Sequence, residues 1–126
     1  MKKSVLVIDD DPDDLEFFSD AVSEISPYYE CFTFSNGNEA LEELKHQKIK
    51  PHFIFLDLNM PGMSGQDFLR AIKKIPMLSE IPVIIWSTSR LTKEIEEVFT
   101  LGAKSYLHKP NSLYGLVETI KTIIKA

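Results

Sequence analysis

The stretch Val5-Leu6-Val7-Ile8-Asp9-Asp10-Asp11-Pro12-Asp13-Asp14 decides the fold. Its apolar run is short, continuous and mostly β-branched, the mark of a strand buried on both faces. Acids then replace it. Asp11 suits a helix N-cap, Pro12 suits the first helical position, and the acids beyond suit the positive end of a helix dipole. Leu15, Phe18, Val22 and Ile25 recur at helical spacing until Pro27 stops the segment.

Working outward, the same strand-then-helix unit repeats. Glu30-Cys31-Phe32-Thr33-Phe34 reads as a second strand, Asn36-Gly37 as a turn, and Asn38 as the cap of a helix with Ala40, Leu41, Leu44 and Ile49 inward. Phe53-Ile54-Phe55-Leu56 is a third strand, followed by a loop from Asp57 to Ser64 and a helix from about Gly65 with Phe68, Leu69 and Ile72. Pro82-Val83-Ile84-Ile85-Trp86 is a fourth strand. Thr92 is the expected cap of the next helix, which carries Ile95, Val98 and Phe99 and ends at Leu101-Gly102. Lys104-Ser105-Tyr106-Leu107-His108 is a more polar fifth strand, suited to a sheet edge. Asn111-Ser112 opens a last helix with a core stripe of Leu113, Leu116, Val117, Ile120, Ile123 and Ile124. Regular alternation with doubly buried strands predicts an α/β fold, an open, doubly wound parallel sheet of five strands with helices on both faces.

Composition sets the bounds. A chain of 126 residues, 44% hydrophobic and 26% charged, has the balance of one soluble globular domain with a core of its own. Its 14 Lys and Arg against 19 Asp and Glu leave a net charge of −5, the wrong sign for a nucleic-acid partner. A single cysteine, Cys31, makes no internal disulfide and no metal cluster, which fits a reducing, cytoplasmic setting. The start, Met1-Lys2-Lys3-Ser4-Val5, has the charge of a signal n-region, but the apolar run behind it is too short for an h-region. No apolar run is long enough for membrane insertion.

In such sheets ligands sit at the carboxyl ends of the strands. There the sequence offers Asp9-Asp10, Asp57, Ser87-Thr88 and Lys109-Pro110. Three convergent carboxylates repel unless compensated, and an all-oxygen site suits Mg²⁺ or Mn²⁺. Three carboxylates, one divalent cation and the Lys109 ammonium are together near neutral, ready for a dianionic phosphoryl group. No Gly-rich nucleotide loop or Walker Lys-Ser/Thr sequence is present, so the phosphate is not expected to arrive as bound ATP. A carboxylate is itself a competent nucleophile that forms an acyl phosphate. Asp57, alone at the end of a central strand, is the first candidate. Lys109 is placed to stabilise the transferring oxygens, and Ser87 to hydrogen-bond one of them.

With these motifs in order, Val7-Ile8-Asp9-Asp10-Asp11, Asp57-Leu58-Asn59-Met60-Pro61-Gly62-Met63-Ser64-Gly65, Pro82-Val83-Ile84-Ile85-Trp86-Ser87-Thr88 and Tyr106-Leu107-His108-Lys109-Pro110, the chain resembles a bacterial response-regulator receiver domain over essentially its full length. The resemblance implies a flavodoxin-like (βα)5 fold in a single domain, 1–126, with no output domain. It implies Asp57 as phosphoacceptor and Mg²⁺ held by Asp10 and Asp57, by Asp9 through water, and by the backbone carbonyl of Asn59. Ser87 becomes the switch hydroxyl and Tyr106 the switch aromatic. Lys109 becomes the family's lysine, followed by Pro110 in a cis peptide bond. The implied donor is a sensor histidine kinase or a histidine phosphotransfer domain. The implied output is a protein partner of unknown identity at the fourth helix, fifth strand and fifth helix, roughly residues 91–125. Trp86 is unusual beside a switch hydroxyl, where smaller aliphatics are common, and stiffens the expected switch.

Other readings compete. Asp11, Asp13 and Asp14 are explained by a solvated helix N-terminus. An EF-hand loop is ruled out because Asp14 stands where glycine is needed and a strand precedes. A haloacid-dehalogenase-type phosphatase also uses an Asp nucleophile with Mg²⁺, and Asp9-x-Asp11 has its spacing, but no cap domain fits. A pseudo-receiver that only binds partners would not need the full set Asp9, Asp10, Asp57, Ser87 and Lys109. Glu94, Glu96 and Glu97 read as a solvated helix face.

Overall fold

Continuous apolar runs separated by amphipathic segments give strands that must be covered on both sides, and the chain solves this with ten alternating elements. They are β1 (Lys3–Ile8), α1 (Pro12–Ile25), β2 (Tyr29–Phe34), α2 (Gly37–Lys45), β3 (Phe53–Leu56), α3 (Gly65–Lys73), β4 (Val83–Ser87), α4 (Thr92–Thr100), β5 (Ser105–His108) and α5 (Leu113–Ile124). The structure is a computed structural model that describes residues 3–125. Met1 and Lys2, the start of the stretch weighed against a signal n-region, lie outside the described residues, as does Ala126.

All neighbouring strands are parallel, in the order β2-β1-β3-β4-β5. Ile8 lies opposite Phe34 on one side and Leu56 on the other, so three strands end at the same level. The order reverses between β1 and β3, and that switch point opens a crevice at the carboxyl ends.

Side chains of a strand alternate between faces, and here both faces meet helices. Leu6, Ile8, Ile54, Leu56 and Ile85 pack with Leu44, Phe68, Ile72 and Val98 of α2, α3 and α4. Val5, Val7, Phe55, Ile84 and Trp86 pack with Phe18, Val22, Leu116 and Ile120 of α1 and α5. Each fully buried aliphatic of this kind is worth about 1.5–3 kcal/mol of transfer free energy. Phe18 anchors the second layer, with its ring 4.8 Å from Phe55 and 5.0 Å from Trp86.

Several local expectations are corrected. Asn36, not Asn38, caps α2: its side chain accepts from the Glu39 backbone N–H at 2.7 Å. The supposed Asn36-Gly37 turn is thus the helix entry. Thr92 does not cap α4 but is its first residue, and Leu91 at the cap position has no capping side chain. Ser89 supplies that chemistry instead, accepting from the Leu91 N–H at 3.3 Å and donating to Glu94 at 2.6 Å, so Glu94 is not simply solvated. Phe99 and Leu113, expected inward, are exposed, because a single helical layer buries only one stripe. No peptide bond among the described residues is cis, so Lys109–Pro110 is trans, the form that X–Pro bonds intrinsically favour.

One glycine is required by packing. A Cβ on Gly65 would lie 2.4 Å from the Asp57 carbonyl oxygen and 2.7 Å from the Leu58 Cα, so α3 starts hard against the end of β3.

Candidate functional site

The ladder carries the acids into place. Beyond the last residue of β1, the Asp9 N–H donates to the Phe34 carbonyl at 3.1 Å. Beyond β3, the Asp57 N–H donates to the Ile8 carbonyl at 3.0 Å. Beyond β5, the Lys109 N–H donates to the Ser87 carbonyl at 2.9 Å. Each candidate residue is therefore the first beyond its strand, held by one more backbone bond, and each backbone is fixed before its side chain does any chemistry.

The structure brings most of the expected set together. Carboxylate oxygens of Asp9, Asp10 and Asp57 all lie within 4.8 Å of one another. Asp9 and Asp57 are buried and Asp10 is exposed, so the cluster opens to solvent on one side. Lys109 Nζ lies 2.7 Å from Asp9 Oδ2, 2.9 Å from Asp14 Oδ2 and 3.5 Å from Asp57 Oδ1. The other Asp9 oxygen accepts from the Asp11 N–H at 3.0 Å, so both oxygens of Asp9 are engaged.

The electrostatics follow from this geometry. Burial pushes the Asp57 carboxyl up to about 6, and the Asp9 charge adds to the push while Lys109 opposes it. Burial also raises Asp9, against the pull of its hydrogen bond from Lys109. Burial disfavours the Lys109 ammonium, but its bonds to Asp9 and Asp14 and the Asp57 charge more than offset this and hold it above the ordinary lysine range. Four carboxylates around one ammonium leave an excess of negative charge. The cluster is thus an acceptor for a hard, oxygen-seeking cation.

Ser87 is fully buried at the end of β4, and its Oγ accepts from the Ser89 N–H at 3.1 Å. Tyr106 is half-buried, and its hydroxyl donates to the Ser89 carbonyl at 2.7 Å. His108 Nε2 lies 3.1 Å from the Thr88 carbonyl oxygen. The loop after β4 is thus tied to β5 by two side chains. Asn59 is exposed in the loop after β3, between buried Leu58 and Met60.

Sequence reasoning missed two participants. Asp14 sits three residues after the N-cap Asp11, where an acid commonly turns back to the cap backbone. It binds Lys109 instead. Trp86 was expected only to stiffen the switch. Its ring instead lies under the ammonium, with Lys109 Nζ 4.7 Å from the ring centroid, and its indole N–H has no acceptor among the described residues. The alternation of β4 held a signal for this contact, because it puts Trp86 on the same face as α1 and α5. Cys31 takes no part; burial pushes its thiol up to about 12.

With the geometry in view, the comparisons with known proteins are consistent. The chain matches the response regulator receiver domain over residues 5–121. A probable cyclic di-GMP phosphodiesterase of Vibrio cholerae serotype O1 is 35% identical over 120 residues, which are 94% of this chain and 26% of that protein. The chain thus spans about a quarter of that relative's length. The polar-differentiation response regulator DivK of Brucella anthropi is 29% identical over 124 residues, 98% of each chain. Among solved structures, the phosphorylated cyanobacterial phytochrome response regulator RcpA superposes with a TM-score of 0.88 at 29% identity, covering 98% of this chain and 91% of that one. The Mn²⁺-bound form of response regulator Rcp1 superposes with a TM-score of 0.84 at 27% identity, over 96% and 91%. The acidic cluster and the Mn²⁺-bound relative together fit divalent metal binding. The chain belongs to the response regulator receiver family.

Proposed function

From that membership we propose that this chain is a stand-alone receiver that takes a phosphoryl group onto Asp57 in a Mg²⁺-dependent reaction and signals to a protein partner. The observation that carries the reading is the convergence of Asp9, Asp10 and Asp57 with Lys109 at one sheet edge. The DivK relative, matched over 98% of its length, is itself a response regulator. The donor is a sensor histidine kinase or a histidine phosphotransfer domain, and the setting is the cytoplasm. No helix among the described residues is long and apolar enough to cross a membrane.

The residues suit the roles. An oxygen of Asp57 attacks phosphorus, forming an O–P bond as the P–N bond to the donor imidazole breaks and the departing ring nitrogen takes a proton from solvent. Lys109, already 3.5 Å from Asp57, meets the negative charge brought by the phosphoryl oxygens. Ser87 offers its hydroxyl to one of those oxygens once it gives up the Ser89 N–H. Tyr106 then follows the loop that it holds through Ser89. Asp10 and Asp57 would hold Mg²⁺ directly, and Asp9 through water, since both of its oxygens are already engaged. The exposed Asn59 would add its main-chain carbonyl. The cation, when bound, supplies positive charge to the phosphoryl oxygens.

Output passes through α4, β5 and α5. Family members act as signalling switches and not as turnover enzymes in the ordinary sense. Incubation with acetyl phosphate and MgCl₂ is expected to give one hydroxylamine-sensitive phosphoryl group per chain, absent from Asp57→Asn. Label that persists on that variant, or steady release of phosphate from a small monoester, would reject this assignment.

A further inference from the structure

We infer that Asp14 is a positioning residue that tethers the Lys109 ammonium in the resting state, so that a phosphoryl group on Asp57 must win Lys109 away from it. The inference rests on Asp57 as the phosphoacceptor and goes beyond it.

The ammonium has three N–H donors. Two are committed at short range, to Asp9 Oδ2 at 2.7 Å and to Asp14 Oδ2 at 2.9 Å. Asp57, the group that would carry the phosphoryl, is left at 3.5 Å, an ion pair without a close hydrogen bond. Asp9 is fixed at the end of β1 and is buried, so its bond belongs to the frame of the site. Asp14 differs. It lies in the first turn of α1, its side chain is 32% exposed, and water can replace the lysine when the pair opens. Its carboxylate also adds a negative charge that an incoming dianion must face. Without Asp14, three carboxylates, one lysine and a divalent cation balance; with it, the site carries one negative charge too many. Asp14 therefore acts against the phosphorylated form in two ways, by holding the lysine back and by its own charge. The first is the larger, because both carboxylates touch the same ammonium.

The Trp86 ring gives a direct view of the tether, since the ammonium stands 4.7 Å from its centroid. An ammonium released from Asp14 moves relative to that ring, and Trp86 is the only tryptophan in the chain.

The test compares wild type, Asp14→Asn, Lys109→Met and the double variant in acetyl phosphate with MgCl₂, following the Asp57 adduct by mass spectrometry. Asp14→Asn is expected to label about tenfold faster and to lose the adduct more slowly, the size of weakening one charge-assisted hydrogen bond to the ammonium at a partly exposed carboxylate. On the Lys109→Met background the gain is expected to fall below about twofold, because the tether has nothing left to hold. Without any metal, the Trp86 emission of Asp14→Asn is expected to differ from that of the wild type. Labelling of Asp14→Asn at or below the wild-type rate overturns the tether. So does a gain undiminished on Lys109→Met, which would be a through-space charge alone, and so do identical metal-free emission spectra. If the wild type itself takes no label on Asp57, the phosphoacceptor reading fails and the tether falls with it. Wild-type label with an unchanged Asp14→Asn overturns the tether only.

Discussion

Removing the Asp57 charge should stabilise the protein in the absence of divalent cations. Asp57 is 6% exposed and faces Asp9 and Asp10, which together with burial push its carboxyl up to about 6. In the unfolded chain the same group titrates near 3.9. The native state therefore binds the Asp57 proton more tightly than the unfolded state does. Below about pH 4 the group is neutral in both states and costs nothing. Stability falls as pH rises from about 4 to about 6, and the whole penalty is present above that window. The gap between about 3.9 unfolded and about 6 folded corresponds to about 3 kcal/mol. Asp57→Asn, with a neutral side chain of the same shape, lacks the penalty. Urea unfolding in EDTA at pH 8, followed by far-UV circular dichroism, should show the variant more stable by about 3 kcal/mol, or roughly 10 °C in Tm for a chain of this length. At pH 4 the two proteins should coincide. Saturating Mg²⁺ at about a hundred times its dissociation constant adds about 2.7 kcal/mol to any protein that binds it, and should bring the wild type nearly level. A variant no more stable at pH 8, or a difference that does not change with pH, would refute the claim that this carboxylate is buried against its own charge.

Three other outcomes are expected. EDTA should stop labelling by acetyl phosphate, and undiminished labelling would remove the metal role given to Asp9 and Asp10. Gly65→Ala puts a Cβ 2.4 Å from the Asp57 carbonyl oxygen, so the backbone must shift; the overpacking cost is about 1–3 kcal/mol by urea unfolding, with slower labelling of Asp57. Tyr106→Phe removes the donor held at 2.7 Å by the Ser89 carbonyl; it should cost about 1 kcal/mol and speed amide exchange over residues 88–91, and unchanged exchange there would show that the hydroxyl does not hold the loop.

The strands were legible because their residues have no other use. Val5-Leu6-Val7-Ile8 and Phe53-Ile54-Phe55-Leu56 are apolar at every position, and only a sheet covered on both faces buries all of them. The carboxyl edge was legible for the same reason, since parallel strands bring Asp9, Asp57 and Lys109 to one side whatever the loops do. Helix entries were less so. Asn36 and Asn38 are equal candidates by residue type, and what singles out Asn36 is the extended backbone that lets its side chain accept from the Glu39 N–H. At α4 the local rule looked at Thr92, while the side chain that serves the helix end is Ser89, three residues earlier.

Asp14 was hidden by a different effect. An acid in the first turn of a helix already has a local explanation in the dipole, so nothing in the sequence asks for a partner 95 residues away. Once the partner is known, the local explanation accounts for too little. Exposed acids at a helix start are worth a few tenths of a kcal/mol to about 1 kcal/mol. A hydrogen-bonded pair with a lysine whose side chain is only 11% exposed constrains both groups, and it does so at the atom that the chemistry needs. The lysine is one donor group shared among three carboxylates, and the nearest two are not the one that would react. An ammonium held 2.7 Å and 2.9 Å from Asp9 and Asp14, but 3.5 Å from Asp57, is bonded most closely to the two carboxylates that are not the proposed acceptor. On the proposed assignment the phosphoryl group would arrive as a competitor for Lys109 as well as a substrate for Asp57, and the strength of the Asp14 bond would enter the balance between the two forms of the switch.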